Sequence, residues 1–285
     1  MPDLPPIKLS APATGEFWEL EIVHEDDRIL AVNKPARLLV SPDRYDPRRP
    51  NLMKLLEAGV ASARPWAAAR QLNYLSNAHR LDFETTGVLL LAKDKPALVA
   101  LANHFGSEVP RKTYVALVVG NPPEDAFECD LALKPDVRRP GYMRWGRDGK
   151  KSLTRFTVRE RFKGCSLVEC HPHTGRTHQI RVHLKAAGFP ILADPLYGDG
   201  EFLRLSDLKR RFKGDRDEEE RPLTPSLALH AWKLALPHPA GTGEVEITAP
   251  WPKDLEVALK YLRKYASVTA AVRPPRPPSV PGARP

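Results

Sequence analysis

The chain has 285 residues, 42% hydrophobic and 28% charged, which suits one large domain or two small ones with a sizeable core. Its net charge of +9 favours an anionic partner, with nucleic acid as the first expectation. No apolar run suits a membrane helix, the N-terminus lacks a signal-peptide pattern, and the three cysteines form no disulfide framework. We expect a cytoplasmic protein without membrane contact.

The first half of the chain predicts strands and helices in alternation after a flexible arm over residues 1–16. "WELEIVHEDDRILAVNKP" alternates apolar and polar residues around an acidic turn and predicts two strands. "NLMKLLEAGVASA" predicts a helix, and "GVLLLAKD" predicts a buried strand. "DKPALVALANHFG" predicts a helix capped by Asp94, and "KTYVALVVG" predicts another strand.

The second half begins with residues 121–150, whose Pro, Gly and charged residues predict a long connection. "LTRFTVRERF" and "CSLVECHP" predict antiparallel strands, and "THQIRVHLKAAG" predicts a helix. A charged insertion over 201–225 precedes the strands "ALHAWKLAL" and "GEVEITAPWP" and the helix "KDLEVALKYLRKYA". Residues 267–285 predict a disordered Pro/Arg-rich tail. Without a regular βαβ rhythm, the pattern favours an α+β fold with a mostly antiparallel sheet.

The stretch "NAHRLDFETTG", residues 77–87, places Asp82 on a loop that leads into a buried strand. A rigid strand can hold a loop carboxylate in the fixed geometry that catalysis needs. The alternative is an ordinary turn aspartate that pairs with Arg80 or with local backbone amides.

Four histidines in the stretch 171–199 raise the question of a zinc site: His171, His173, His178 and His183. The spacing of five between the last two does not match the i, i+4 pair of a helical zinc site, and no glutamate lies between them. We expect no metal, and a metal-dependent hydrolase remains the alternative from the residues.

The predicted helix in that stretch carries His178, Arg181 and Lys185 at a spacing that shares one face. Such a basic stripe could bind phosphate, or one arginine could point inward at a carboxylate, or the face could be solvated. Tyr114 in "RKTYVALVVG" could pack in the core or stack on a base.

Several segments taken in order resemble the RNA pseudouridine synthases of the RluA class: "AVNKP", "AHRLDFETTGVLLLAK", "RKTYVALVVG", "HTGRTHQIRVHLKAAGFPILADPLYG", "LHA" and "ITAPWP". The similarity runs from about Phe17 to Tyr265. The family usually reads Thr-Ser-Gly where this chain has Thr85-Thr86-Gly87. Only about 16 residues precede the similar region, so we expect a chain without the N-terminal S4 RNA-binding domain of many members.

The resemblance implies a pseudouridine synthase fold, with a mixed central sheet flanked by helices and an active-site cleft across it. It implies a catalytic domain over residues 17–266 that isomerises uridine in RNA without a cofactor. Asp82 is then the essential carboxylate, acting as nucleophile or base, and Arg181 is its partner. The resemblance also implies that Tyr114 packs on the uracil and helps to remove the C5 proton, and that Arg80 fills the space left by the flipped base.

We further predict substrate contacts from six residues: His79, Arg80, Thr85, Arg176, His178 and Lys185. The expected partner is RNA, most often 23S ribosomal RNA for this class, with transfer RNA as the alternative target. A catalytically inactive RNA-binding homologue is the other alternative, although pure binding would not require Asp82, Arg181 and Tyr114 together. We expect a monomer.

Overall fold

A computed structural model describes residues 4–44, 46–209, 212 and 219–268. Its strands are β1 (Ile7–Ala11), β2 (Glu16–Glu25), β3 (Ile29–Lys34), β4 (Ser76–Asn77), β5 (Thr86–Ala92), β6 (Arg111–Val119), β7 (Ala126–Cys129), β8 (Leu133–Pro135), β9 (Met143–Trp145), β10 (Thr154–Phe162), β11 (Cys165–Pro172), β12 (Leu229–Pro237) and β13 (Glu244–Thr248). Its helices are α1 (Leu52–Ala61), α2 (Pro65–Ala68), α3 (Lys95–Gly106), α4 (Gln179–Ala186), α5 (Leu205–Leu208) and α6 (Lys253–Tyr265).

Within the described residues, eleven strands form one sheet whose main path is β1-β2-β3-β5-β12-β6-β11-β10-β7. Neighbours along this path are antiparallel except β12 and β5, which are parallel over a short contact. Strands β8 and β9 form a separate two-stranded sheet. The predicted α+β class with a mostly antiparallel sheet is therefore confirmed.

The strands and helices predicted from periodicity are present, and their ends follow the expected local chemistry. The side chain of Asn51 caps α1 by accepting a hydrogen bond from the amide of Lys54. Asp94 caps α3 in the same way, as predicted, by accepting from the amide of Ala97. The turn at Lys163 and Gly164 joins β10 to β11, and Gly164 takes a positive φ there.

Two predictions for irregular segments were wrong. Residues 7–11 of the predicted flexible arm form β1, because "IKLSA" alternates, pairs with β2 and buries Ile7, Leu9 and Ala11 on one face of the strand. The predicted connection over 121–150 contains β7, β8 and β9. Its strands are three or four residues long, and its Pro and Gly residues obscure their alternation.

Other predictions fall partly outside the described residues. The tail lies outside them from residue 269 onward, and Ser267 forms an isolated β-bridge with Phe162. The insertion over 201–225 is described only in part and contains α5. Within the described portion of the chain, no helix combines the length and apolar character needed to cross a membrane.

The two halves of the sheet meet where β5 runs beside β12. Gly87 pairs with Ala231 there, and a Cβ atom added at Gly87 would lie 2.2 Å from the Ala231 carbonyl oxygen. Glycine is therefore required at the end of "TTG" because the two backbones approach closely. The Asp82 loop enters this seam through β5 from one half, and α4 follows β11 in the other half.

Candidate active site

A cavity of about 270 Å³ opens between the Asp82 loop and the start of α4. It is lined by residues from both halves of the sheet, among them His79, Arg80, Asp82, Thr85, Lys112, Tyr114, Arg176, His178 and Arg181. The fold thus brings together eight of the nine residues predicted for the site. Lys185 is the exception, because it is exposed on α4 and does not belong to the described lining.

The buried side chain of Lys34 holds the loop that carries Asp82 by a hydrogen bond to the loop's backbone. The Lys34 ammonium donates to the carbonyl oxygens of Pro35 at 2.7 Å, Leu38 at 2.9 Å and Phe83 at 3.3 Å. Burial lowers the pKa of Lys34 to about 7, while the charges of Asp82 and Glu84 oppose that shift. The loop is closed by the amide of Thr85, which donates to the Asp82 carbonyl oxygen at 3.2 Å.

Arg181 lies on α4 with only 3% of its side chain exposed, and it faces two carboxylates. One Nη atom lies 3.5 Å from Asp82 Oδ2. Nε and the other Nη donate to Asp194 at 2.9 and 2.7 Å, which makes a bidentate pair. Burial alone would lower the pKa of Arg181, but the bond to Asp194 and the charges of Asp194 and Asp82 raise it.

Asp194 is fully buried and its carboxylate is saturated with donors. The amides of Leu196 and Tyr197 donate to its Oδ1 at 2.9 and 3.1 Å, beside the two bonds from Arg181. Burial would raise the pKa of Asp194, yet Arg181 and the two amides hold it below its usual value. Asp194 therefore stays ionised and fixes the orientation of the Arg181 guanidinium.

His178 approaches Asp82 from the N-terminal end of α4. His178 precedes the helix in a left-handed conformation with φ of 53°. The prediction that it shares one helical face with Arg181 was therefore wrong. Its Nδ1 lies 2.7 Å from the Tyr197 hydroxyl, and its Nε2 lies 3.9 Å from Asp82 Oδ1. Burial lowers the pKa of His178, although the charge of Asp82 opposes the shift.

The hydrogen bonds of Tyr197 assign the tautomer of that histidine. Burial raises the pKa of Tyr197 to about 12, so its hydroxyl is neutral. The hydroxyl accepts a hydrogen bond from the amide of Met143 at 2.8 Å and can donate its proton to His178 Nδ1. A neutral His178 then carries its proton on Nε2, the atom that faces Asp82.

Tyr114 extends from β6 into the cavity and packs against the apolar clusters of both halves. Burial raises the pKa of its hydroxyl, and the negative charge of Asp82 adds to the shift. A phenolate at this position is therefore strongly disfavoured. The environment suits a ring that packs on a substrate better than a side chain that acts as an anionic base.

Two of the remaining predicted contacts, Arg80 and Arg176, are arginines at the cavity with few protein partners. Arg80 is exposed at the cavity and donates to the Thr177 hydroxyl at 3.3 Å. Arg176 donates to the Lys151 carbonyl oxygen at 3.0 Å and to Glu108 at 3.2 Å. Because exposed pairs of this kind contribute little free energy, both guanidiniums are available to phosphate oxygens.

His79 and Thr85 line the cavity, where His79 is partly buried and Thr85 is buried. His79 accepts a hydrogen bond from the amide of Leu90 at 3.0 Å and stacks on Phe105, and burial lowers its pKa to about 4. It is neutral and braces the loop. Thr85 is buried, and its hydroxyl has no protein partner among the described residues.

Three of the four histidines considered for zinc bond to separate partners. His183 is buried and bonds with the hydroxyls of Ser152 and Thr154. His171 faces Glu169 at 3.2 Å, and His178 faces Tyr197. In the described part of the chain, no group of three or more His, Cys, Asp or Glu side chains is arranged to hold a metal ion.

Sequence reasoning missed Asp194, Tyr197, Lys34 and Lys112 as parts of this site. The first two lie in "ADPLYG" and Lys34 lies in "AVNKP", both within the segments that carry the family resemblance. Lys112 lines the cavity and donates to the Thr174 carbonyl oxygen at 3.2 Å. The sequence offered a signal for Asp194, because an inward-pointing Arg181 needs a second carboxylate besides the partly exposed Asp82.

Comparison with known proteins points to one family. The profile described as RNA pseudouridylate synthase matches residues 28–186. Ribosomal large subunit pseudouridine synthase C of Salmonella typhi is 38% identical over 249 residues, covering 86% of this chain and 70% of that protein. Ribosomal large subunit pseudouridine synthase D of Neisseria meningitidis is 34% identical over 260 residues, covering 90% of this chain and 65% of that protein.

Solved structures agree with the sequence comparison. Human RNA Pseudouridylate Synthase Domain Containing 4 superposes with a TM-score of 0.63 at 25% identity, covering 85% of this chain and 93% of that chain. Human RNA Pseudouridylate Synthase Domain Containing 1 gives a TM-score of 0.60 at 25% identity, covering 87% and 96%. The profile spans more than half of the chain, and the relatives match most of its length. The chain therefore belongs to the RNA pseudouridylate synthase family and is an RNA pseudouridine synthase.

Proposed function

We propose that this enzyme converts uridine to pseudouridine in large-subunit ribosomal RNA, with Asp82 as the reacting carboxylate. The choice of RNA is supported by two relatives, which are named as ribosomal large subunit pseudouridine synthases. The net charge of +9 is consistent with a polyanionic substrate.

The observation that carries the proposal is the arrangement of two carboxylates around Arg181. Asp194 holds the guanidinium from the buried side, and Asp82 faces the cavity with 20% of its side chain exposed. Asp82 therefore has a guanidinium 3.5 Å away that can orient it and an open side from which a ribose can approach.

In the proposed reaction, the Asp82 carboxylate attacks the anomeric carbon or removes a proton from the sugar. The bond between that carbon and N1 of uracil breaks, and the base turns within the cavity. C5 then bonds to the anomeric carbon as the Asp82 ester breaks, or as the sugar regains the proton that Asp82 held, and C5 loses its proton while N1 gains one. Asp82 is regenerated, so the reaction is an isomerisation without net loss or gain of atoms.

Access to the sugar requires the target uridine to leave its stack. Arg80 is exposed at the cavity, where its guanidinium can occupy the space that the base vacates. Tyr114 supplies an aromatic face inside the cavity. Because its pKa is raised, Tyr114 positions the uracil ring rather than removing the C5 proton as a phenolate.

The test is to map pseudouridines in total RNA from cells with and without this gene, and then to treat both RNA pools with purified enzyme. We expect specific positions in large-subunit ribosomal RNA to lose the modification in the deleted cells and to regain it in vitro. Loss confined to transfer RNA would contradict the ribosomal target. Unchanged maps, with no activity in vitro, would contradict the function.

A further inference from the structure

The two-stranded sheet of β8 and β9 belongs to a strongly basic segment, residues 133–151, called here the basic hairpin. It contains seven Lys or Arg residues and two Asp residues, a net charge of +5 within a chain whose total is +9. Most of its cations are exposed, including Arg138, Arg144 and Arg147. More than half of the net positive charge is thus concentrated in 19 of the 285 residues.

The basic hairpin also exposes a large aromatic side chain. Trp145 ends β9 with 56% of its surface accessible, and exposed Arg144 and Arg147 lie beside it in sequence. A tryptophan exposed to this extent gains little from folding, since most of its apolar surface stays in water. An aromatic face among arginines is the combination on which unpaired bases stack while phosphates are neutralised.

The basic hairpin is fixed to the active-site helix. Its Leu133 is buried in an apolar cluster with Val182 of α4 and Tyr197. The amide of Met143 donates to the Tyr197 hydroxyl, which also bonds to His178 beside Asp82. RNA bound on the hairpin is therefore held in a defined relation to the reacting carboxylate.

The backbone of the basic hairpin is tightly closed as well. The amide of Gly149 donates to the Gly146 carbonyl oxygen at 2.8 Å, and a Cβ atom added at Gly149 would lie 2.7 Å from the Leu133 backbone. Lys150 exchanges both backbone hydrogen bonds with Leu133. The segment presents its cations on a rigid support, which lowers the conformational entropy lost when RNA binds.

We propose that the basic hairpin binds an unpaired stretch of the substrate RNA next to the target uridine. Trp145 stacks on one base of that stretch, and Arg138, Arg144 and Arg147 bind its phosphates. The proposal rests on the function proposed above and assigns part of RNA recognition to a surface outside the catalytic cavity.

The test compares RNA affinities of the full chain and two variants, with the ribosomal RNA fragment that the wild type modifies as the probe. Trp145→Ala should weaken binding roughly 10-fold, because stacking on one base is lost. Phe17→Ala is the matched control, since Phe17 is 59% exposed on β2 near the β1 edge of the main sheet. Trp145→Phe keeps a ring and should restore most of the affinity.

The arginines are tested through salt dependence. Arg144→Gln with Arg147→Gln should weaken binding and reduce the slope of log affinity against log salt by about 0.7 for each lost phosphate contact. The control removes two exposed charges from α6, as Lys253→Gln with Lys260→Gln. A fully paired RNA of equal length should bind wild type and Trp145→Ala equally, because it offers no unpaired base.

Each outcome decides between the two proposals. Equal RNA affinities for the wild type and the hairpin variants, with normal pseudouridine formation, would overturn the hairpin proposal and leave the function standing. That outcome would point instead to an acidic protein partner for the basic hairpin. A wild type that forms no pseudouridine in ribosomal RNA would overturn the function, and the affinity comparison could still be made with any RNA it binds.

Discussion

The Asp82 loop and the Asp194 turn present carboxylates to the same guanidinium, but in opposite environments. Asp194 is fully buried, bonds Arg181 at 2.7 and 2.9 Å, and accepts from two backbone amides. Asp82 is 20% exposed, lies 3.5 Å from Arg181, and faces an open cavity. The Asp194 carboxylate is fully used in hydrogen bonds within the protein, whereas the Asp82 carboxylate keeps lone pairs directed at the cavity.

This difference separates positioning from chemistry at the site. A carboxylate saturated by four donors is a poor nucleophile and a weak base, but it orients a cation well. A carboxylate beside that oriented cation, with one side open, stays accessible to a substrate. We therefore infer that Asp82 reacts and that Asp194 orients Arg181, a division that substitutions can test.

The largest combined effect is expected from Arg181→Met, because it removes the group that both regions share. Asp194 would remain buried and without its cation, at a cost of about 3–5 kcal/mol in the free energy of unfolding. Activity should fall almost to zero. Chemical denaturation and pseudouridine formation measure the two effects. Arg155→Met is the control, since Arg155 is an exposed arginine whose ion pair contributes little. Normal stability in Arg181→Met would show that the buried pair is not structural.

Asp194→Asn should destabilise the protein while leaving a measurable reaction. The amide cannot accept as many charged hydrogen bonds, so we expect a loss of about 2–3 kcal/mol. A misoriented Arg181 should slow pseudouridine formation by up to about 100-fold. Activity below detection in a folded Asp194→Asn enzyme would place Asp194 in the chemistry and contradict the division.

The same substitution should alter the acid dependence of stability. The pKa of Asp194 is lowered in the folded protein, so its stabilisation is present above the usual carboxyl value of 3.8. That stabilisation is lost as the pH falls through the lowered pKa. The wild type should therefore lose more stability than Asp194→Asn below about pH 3.8. Parallel curves in denaturation measured against pH would contradict the assignment.

A smaller effect is expected from Tyr197→Phe, which removes the hydroxyl between Met143 and His178. Two hydrogen bonds are lost, with a net cost of about 1–3 kcal/mol if each contributes a typical amount. His178 loses the partner that fixes its tautomer, so the reaction should slow several-fold. Tyr142→Phe, which keeps the packing of a neighbouring ring on Tyr197, is the matched comparison.

The smallest effect is expected from ending the chain at Ser267. The removed segment contains Arg273, Arg276 and Arg284 among Pro and small residues, a composition with no pattern for reading RNA sequence. The shortened enzyme should modify the same uridine, with at most weaker binding at high salt. Mapping the modified position at several salt concentrations tests this, and a shifted position would assign targeting to the tail.

The sequence indicated Asp82, Arg181 and Tyr114 as site residues, but it did not indicate that Asp194 and Tyr197 support them. Asp82, Arg181 and Tyr114 stand in distinctive motifs, and the strand and helix periodicity placed them on the correct elements. Asp194 and Tyr197 lie in "ADPLYG", within a segment of the family resemblance, but their spacing assigned them no role, because that role depends on how the chain folds back against α4. Local spacing does not report that return.

The same limit explains the remaining errors. The stripe of His178, Arg181 and Lys185 assumed one continuous helix, but His178 adopts a left-handed conformation before α4 begins. Within α4, Arg181 is buried beside Asp194 while Lys185 is exposed. The strands at 133–135 and 143–145 are too short for periodicity to distinguish them from a loop.

The most direct test of the account is single-turnover pseudouridine formation by purified Asp82→Asn with saturating ribosomal RNA fragment. The amide is nearly the same size as the carboxylate but cannot act as an anionic nucleophile or base. We expect the rate to fall at least about 1,000-fold, with the melting temperature and RNA affinity close to those of the wild type. Asp27→Asn, at an exposed carboxylate between β2 and β3, should react normally. Turnover by Asp82→Asn at a rate near that of the wild type would contradict the assignment of the chemistry to Asp82.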